Sequence, residues 1–193
     1  MDQEYGPAPA VRPPIALGCL GMVAALVFLI GFGFVAIKYL ESGTQSKVVL
    51  DDVDSYGRGT VEFVGERNIF VVRLADGTFL ALNDLDEANR ANPGHRCRVS
   101  PIPINDPSLP GILEEYRSSF SPKAAGTTLV FRETCNNALY DVTGVRLDAE
   151  GLNLTRHDVD INEAGKLTVN MATKRCTQRE GDDFFAPVDC PSD

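Results

Sequence analysis

Hydrophobic residues are laid out along this chain in two regimes. From Ile15 to Ile37 there are 23 consecutive residues without a charge, IALGCLGMVAALVFLIGFGFVAI. Coiled as a helix, such a run is about 34 Å long, against a bilayer hydrocarbon core of about 30 Å. Lys38 and Tyr39 follow at once, residue types that anchor a span at the membrane interface. The pattern predicts a short tail over 1–14 and one uncleaved transmembrane helix over 15–40. A cleaved signal peptide would have a shorter apolar core with a small-residue cleavage site close behind it. Gly18, Gly21, Gly31 and Gly33 leave flat patches on that helix where another could approach closely.

After a polar linker over 41–47, ESGTQSK, the apolar runs become short and are separated by turns. They lie at Lys47–Leu50, Gly59–Val64, Asn68–Leu74, Thr78–Leu82, Thr127–Phe131, Ala138–Val142, Leu152–Leu154, Val159–Ile161 and Lys166–Met171. Asp76-Gly77 between two such runs is a strong hairpin signal, and Ala164-Gly165 is a weaker one. Strands this short, at this spacing, predict a mainly β domain over 48–175, a small antiparallel β-sandwich or barrel. A Pro- and Ser-rich segment at about 100–127 interrupts it, with one short helix expected over Gly111–Phe120; beside the family named below it reads as an insertion. Residues 176–193 read as a C-terminal tail.

Charge narrows the function. The net charge is −9, from 18 Lys and Arg against 27 Asp and Glu. Residues 1–40 carry two of each sign, so the whole excess falls beyond the span. An acidic outer domain excludes a nucleic-acid binder, which needs a basic face. It would attract a basic soluble partner.

The sequence contains no Gly-rich phosphate loop, no HExxH and no G-x-S-x-G. Its two histidines, His95 and His157, sit in no recognisable catalytic setting. Acidic pairs such as Asp51-Asp52 and Asp182-Asp183 read as solvated loop charges. The chain is therefore expected not to be an enzyme. Of five cysteines, Cys19 lies inside the apolar run, while Cys97, Cys135, Cys176 and Cys190 lie beyond it. An even number in one exported domain fits two disulfides in an oxidising compartment. That places the N-terminus in the cytoplasm and the β domain outside the cell membrane.

The order of the remaining motifs points to a family. The run NIFVVRLADGTFLALNDL from Asn68 resembles the hairpin that opens a Rieske iron–sulfur domain. LNLTRHDVDINEAGKLTV resembles the strands that close one. Between them, Asn92-Pro93-Gly94-His95-Arg96-Cys97 lies where the family has C-x-H-x-x-C. Glu133-Thr134-Cys135-Asn136-Asn137, followed by Tyr140-Asp141, lies where it has C-x-C-H-G and an aromatic-Asp pair. Val145–Leu154 resembles the family's G-P-A-P-L-N-L loop without its prolines. The resemblance covers roughly 47–171, and a single N-terminal span fits the membrane-anchored, cytochrome bc-type members.

In that family, one Cys and one His from each box hold a [2Fe–2S] cluster, and the other Cys of each box join in a disulfide. The resemblance implies that Cys97 and Cys135 keep the disulfide positions. All four ligand positions are changed: Asn92 and Glu133 replace the cysteines, Gly94 and Asn136 the histidines. A Rieske cluster needs thiolates on one iron and imidazoles on the other, so no cofactor is expected. A substitute set would have to recruit His95, Cys97, Cys135 and the distant His157, and would sacrifice the disulfide. Arg12 stands without a second Arg, so the twin-Arg signal of cluster-loaded exported members is missing as well. Cys176 and Cys190 would pin the tail, including Phe184-Phe185, on itself or on the domain.

A degenerate Rieske fold on a membrane anchor implies a non-catalytic accessory subunit of a respiratory or photosynthetic electron-transfer complex. It would bind integral membrane subunits, the bilayer through 15–40, and a basic soluble electron carrier. An electron carrier with unusual ligation and a free-standing membrane-anchored binding protein are the alternatives. The insertion carries Ile112, Leu113, Tyr116 and Phe120, which either pack privately or form the partner surface.

Overall fold

A computed structural model describes residues 26–37, 46–86 and 97–191. The chain divides into two units, 1–45 and 46–193. In the first, residues 26–37 form helix α1, whose apolar side chains are exposed. No helix among the described residues is long and apolar enough to cross a membrane. The rest of the expected span, 15–25 and 38–40, lies outside the described residues.

The second unit is mainly β, and every strand pairing in it is antiparallel. Six strands form the largest sheet: β1 (Lys47–Asp52), β2 (Thr60–Val64), β3 (Ile69–Arg73), β4 (Phe79–Asn83), β9 (Arg156–Ile161) and β10 (Lys166–Arg175). Their order is β1-β10-β9-β4-β3-β2. Leu50 on one edge strand and Val64 on the other pack into the same two core clusters. The sheet is therefore curled, with its two edges turned toward one interior.

Alternation along β3 explains the uninterrupted apolar run. Successive strand side chains point to opposite faces, and here both faces are covered. Ile69 and Val71 face the interior of the curl with Ala81, Leu167 and Val169. Phe70 and Val72 face the other way, onto Leu82, Phe131, Tyr140 and Val142. The rings of Phe70 and Phe131 lie 5.0 Å apart. The expected turn at Asp76-Gly77 joins β3 to β4: Asp76 Oδ1 accepts from Thr78 N at 2.8 Å, and Gly77 takes a φ of 91° that disfavours any side chain.

Between β4 and β9 the chain leaves the large sheet and builds a second one. β5 (Val99–Pro101), β6 (Val130–Glu133) and β7 (Leu139–Asp141) form a three-stranded sheet in that order. The short helix α2 (Leu109–Glu115) and a 3-10 turn at Arg117–Ser119 lie in the insertion joining β5 to β6. The expected helix over Gly111–Phe120 thus starts two residues earlier and tightens after Glu115. A third sheet, β12-β11-β8, contains β8 (Gly151–Leu152), β11 (Thr177–Glu180) and β12 (Asp183–Pro187).

The expected tail over 176–193 thus carries secondary structure of its own: Thr177–Pro187 is a hairpin laid on β8. Cys176 and Cys190 close it at the base, with Cα atoms 5.1 Å apart. The ring closed by this pair, 14 residues apart in sequence, corresponds to about 3 kcal/mol of unfolded-chain entropy. Replacing both cysteines by serine is expected to lower unfolding free energy by about that amount in urea titrations.

Gly144 shows how tightly the second core is built. It closes the turn after β7, donating to Asp141 O at 2.9 Å, with a φ of 82°. A Cβ there would come within 3.2 Å of Leu154 and 3.3 Å of Leu82. Gly144→Ala combines a left-handed backbone with overpacking, so a loss of about 2–3 kcal/mol is expected by chemical denaturation.

Candidate functional site

Pairing between β5 and β6 creates the site. Val99 lies opposite Glu133, so Cys97, two residues before Val99, comes opposite Cys135, two residues after Glu133. Thr134 N donates to Arg98 O at 3.0 Å and carries the ladder past the strand ends. Cys97 and Cys135 are joined as a disulfide, their Cα atoms 5.4 Å apart across 38 residues of sequence. Cys97 is buried and Cys135 exposed.

Glu133 is fully buried at the end of β6. Its side chain turns back on its own loop: Oε1 accepts from Cys135 N, and Oε2 accepts from Asn136 N at 2.6 Å. Glu133 N donates to Ala138 O at 2.8 Å, closing the β6–β7 connection. Asn137, in that connection, has a φ of 61°. A carboxylate thus sits where the resemblance puts a ligand cysteine, and both its oxygens organise the turn carrying Cys135. Arg98, beside Cys97, pairs with the buried Asp84 and donates to Asn68 Oδ1 at 2.8 Å.

A buried polar network lies beneath. Asp141 Oδ1 accepts from Thr143 N at 2.7 Å, Thr143 Oγ1 at 2.7 Å and Val145 N at 3.1 Å, while Oδ2 accepts from Ser121 N at 2.9 Å. The insertion is tied to the β7 turn by this carboxylate and by the Ser121–Thr143 hydroxyl pair, 2.9 Å apart. Arg156 donates to Thr143 O and stacks on Phe185, 4.4 Å from the ring centroid. Burial pushes the Arg156 pKa down, and the neighbouring Asp141 charge acts against that shift.

Tyr140 is also buried, and its phenol pKa is raised first by burial and then by the Asp86 carboxylate. Burial works against the Arg146 cation as well. Its bonds to Asp148, at 3.1 Å and 3.3 Å, outweigh this and leave its pKa raised.

Asn153, directly after β8, is the third tie. It accepts from Arg146 N at 3.0 Å and donates to Thr177 Oγ1 at 3.0 Å and Phe184 O at 2.8 Å. It binds this segment to the C-terminal hairpin. Asp141, Ser121, Thr143, Asn153 and Arg156 were not singled out as a network from sequence. Only Asp141-Val142-Thr143 carried a local signal, the Asp-x-Thr pattern of a side chain that turns its own backbone.

Of the sequence-derived positions, Glu133, Asn136, Cys97 and Cys135 come together. Asn92, Gly94 and His95 lie outside the described residues. His157 lies on β9, with Nδ1 3.0 Å from Thr173 O, and is not part of the thiol–carboxylate group around the disulfide. Ile112, Leu113, Tyr116 and Phe120 are half-buried and pack against Ile102, Leu109, Val130, Leu139 and Leu147. Private packing therefore occupies one side of each, whereas Ile104 is 73% exposed.

A [2Fe–2S] cluster does not fit these donors. Glu133 and Asn136 offer no thiolate and no imidazole, and both sulfurs of the site are bonded to each other.

The class defined by this geometry is a mainly antiparallel β domain in which a disulfide joins the ends of two paired strands beside a buried glutamate. No protein-family model matches the chain, and no curated protein matches it. Among solved structures it is similar to one described as an NADH-dependent nitrite reductase small subunit from Mycobacterium tuberculosis. The two are 12% identical at a TM-score of 0.35, covering 64% of this chain and 92% of that one. A superposition so loose carries no correspondence of residues.

Proposed function

We propose that this chain is a cluster-less, Rieske-like accessory subunit of a membrane electron-transfer complex, anchored by its N-terminal apolar segment and performing no reaction itself. The observation that supports it best is the self-sufficiency of the loop tip. At a position where the family resemblance expects a ligand cysteine, Glu133 has both oxygens engaged by Cys135 N and Asn136 N. The cysteines aligned with structural positions form the bridge. An arrangement satisfied from within leaves a scaffold whose role is to hold shape beside other subunits.

The 23 uncharged residues from Ile15 to Ile37 supply the attachment to the bilayer. The β domain, carrying the net −9, stands outside the membrane, where it would draw a basic electron carrier toward the complex. Ile104 and the outward sides of Ile112, Leu113, Tyr116 and Phe120 offer the contact with neighbouring subunits.

Mild detergent extraction of native membranes, followed by identification of co-purifying chains, tests this. Integral electron-transfer subunits in stoichiometric amount are expected. Recovery of the chain alone would favour a free-standing binding protein. A purified sample carrying iron with a [2Fe–2S] EPR signal would make it an electron carrier instead.

A further inference from the structure

We infer that the Cys97–Cys135 bridge conceals a second state of the site: a redox-gated pocket for a thiophilic divalent cation such as Zn²⁺. This goes beyond the accessory role and does not depend on it. The two sulfurs and a carboxylate oxygen of Glu133 all lie within 4.8 Å of one another. That is the only group of three or more such ligand atoms among the described residues. Two thiolates and a carboxylate are a donor set for a tetrahedral zinc centre, whose ligand atoms lie about 2.0–2.3 Å from the ion, and the bonded sulfurs have to part before an ion can enter between them.

Two features make the group more than a chance cluster. Glu133 is fully buried, and a carboxylate out of water is stabilised by a cation placed beside it. Its oxygens already accept from Cys135 N and Asn136 N. Such outer hydrogen bonds orient a metal-binding carboxylate and raise affinity. The β5–β6 register holds the two loops together independently of the bridge, through the Val99–Glu133 pairing and the Thr134 N to Arg98 O bond. Breaking the sulfur–sulfur bond therefore leaves both thiols facing each other.

In the oxidised state the sulfurs are spent on each other and the pocket is shut. Exposure of Cys135 gives a dithiol reductant access. Thiolate of the reductant attacks Cys135 Sγ, the bond to Cys97 Sγ breaks, and a mixed disulfide forms. The second reductant thiol then closes its own disulfide and releases Cys135, so the protein gains two electrons and two protons. Zn²⁺ then displaces both thiol protons, taking two thiolates and the Glu133 carboxylate, with water completing four-coordination on the exposed side. Two soft thiolates and one oxygen favour zinc or cobalt over magnesium or calcium.

The test uses the full chain in detergent, reduced with a phosphine, desalted without oxygen and titrated with Co²⁺. Tetrahedral thiolate-to-cobalt charge-transfer absorption is expected at one ion per chain, and none in the oxidised protein. The double variant Cys97→Ser/Cys135→Ser should lose the band, although Cys176 and Cys190 remain. Glu133→Gln should weaken Co²⁺ binding by roughly tenfold or more. X-ray absorption of the zinc-loaded wild type should report two sulfur neighbours with oxygen completing the shell, a readout that needs no variant to fold. A band that persists in the double cysteine variant, binding unchanged by Glu133→Gln, or a shell with other than two sulfurs would each overturn the inference.

Discussion

Asp141→Ala is expected to cost the β domain about 4–6 kcal/mol, the largest loss of any single side chain considered. The carboxylate receives four hydrogen bonds, from Ser121 N, Thr143 N, Thr143 Oγ1 and Val145 N. Bonds to a charged acceptor contribute about 1.5–3 kcal/mol each. They share one acceptor group and are not additive, so the sum overstates the loss. Removal strands three backbone N–H groups in a region where Asp141 and Thr143 are almost fully inaccessible, and leaves the Thr143 hydroxyl only its Ser121 partner. It also removes the negative charge facing half-buried Arg156.

For a domain whose total stability is about 5–15 kcal/mol, this is close to unfolding. Urea titration followed by circular dichroism should show a much lower midpoint at an unchanged slope. Asp141→Asn keeps an oxygen acceptor and should lose about half as much. A loss below about 1 kcal/mol for the alanine variant would mean that the network does not hold the insertion to the β7 turn.

Opening the Cys97–Cys135 bridge is the second large perturbation. Serine at both positions releases a closed segment of 38 residues, for which chain entropy predicts about 4 kcal/mol. The loss should exceed that for Cys176 and Cys190, 14 residues apart, by about 1 kcal/mol. Hydrogen exchange distinguishes this from general weakening. Faster exchange should concentrate at Cys135–Ala138, while β3, β4 and the β5–β6 pairing keep their protection. If both double variants lose the same amount, loop length does not govern the staples here.

Much of the large sheet was legible as sequence. The runs at Lys47–Leu50, Gly59–Val64, Asn68–Leu74 and Thr78–Leu82 correspond to β1–β4, offset by no more than two residues at either end. Each has β-branched or aromatic residues bounded by turn residues, which is local information. Asp76-Gly77 was legible for the same reason. The expected run Thr127–Phe131 begins and ends earlier than the strand Val130–Glu133, because Glu133 reads as a loop residue until its burial is known.

β5, β11 and β12 were not recognised. VSP, TQRE and DFFAP lack alternation strong enough to stand alone; β5 becomes a strand through β6, β11 through β8, and β12 through β11. The disulfide at the tip was expected from family resemblance, and the register of β5 on β6 places it. The longer ties through Asp141, Asn153 and Arg156 are illegible because their partners lie 13 to 31 residues away; only the Asp141 turn and the Asn153–Arg146 bond, 7 residues apart, are local.

What the sequence by itself determined is set by short-range chemistry. The uncharged run of 23 residues, the acidic balance beyond it, the hairpin signals and the mainly β character need only composition and period. The tertiary structure decided which faces of β3 are buried, that the last residues form a paired hairpin, and that Glu133 turns inward onto its own loop. Those depend on contacts between distant segments, and a side chain's period along its own strand does not say what covers it. Glu133, two residues before Cys135, reads in one dimension only as a changed ligand position. Folded, it is buried, and both its oxygens organise the turn that carries Cys135.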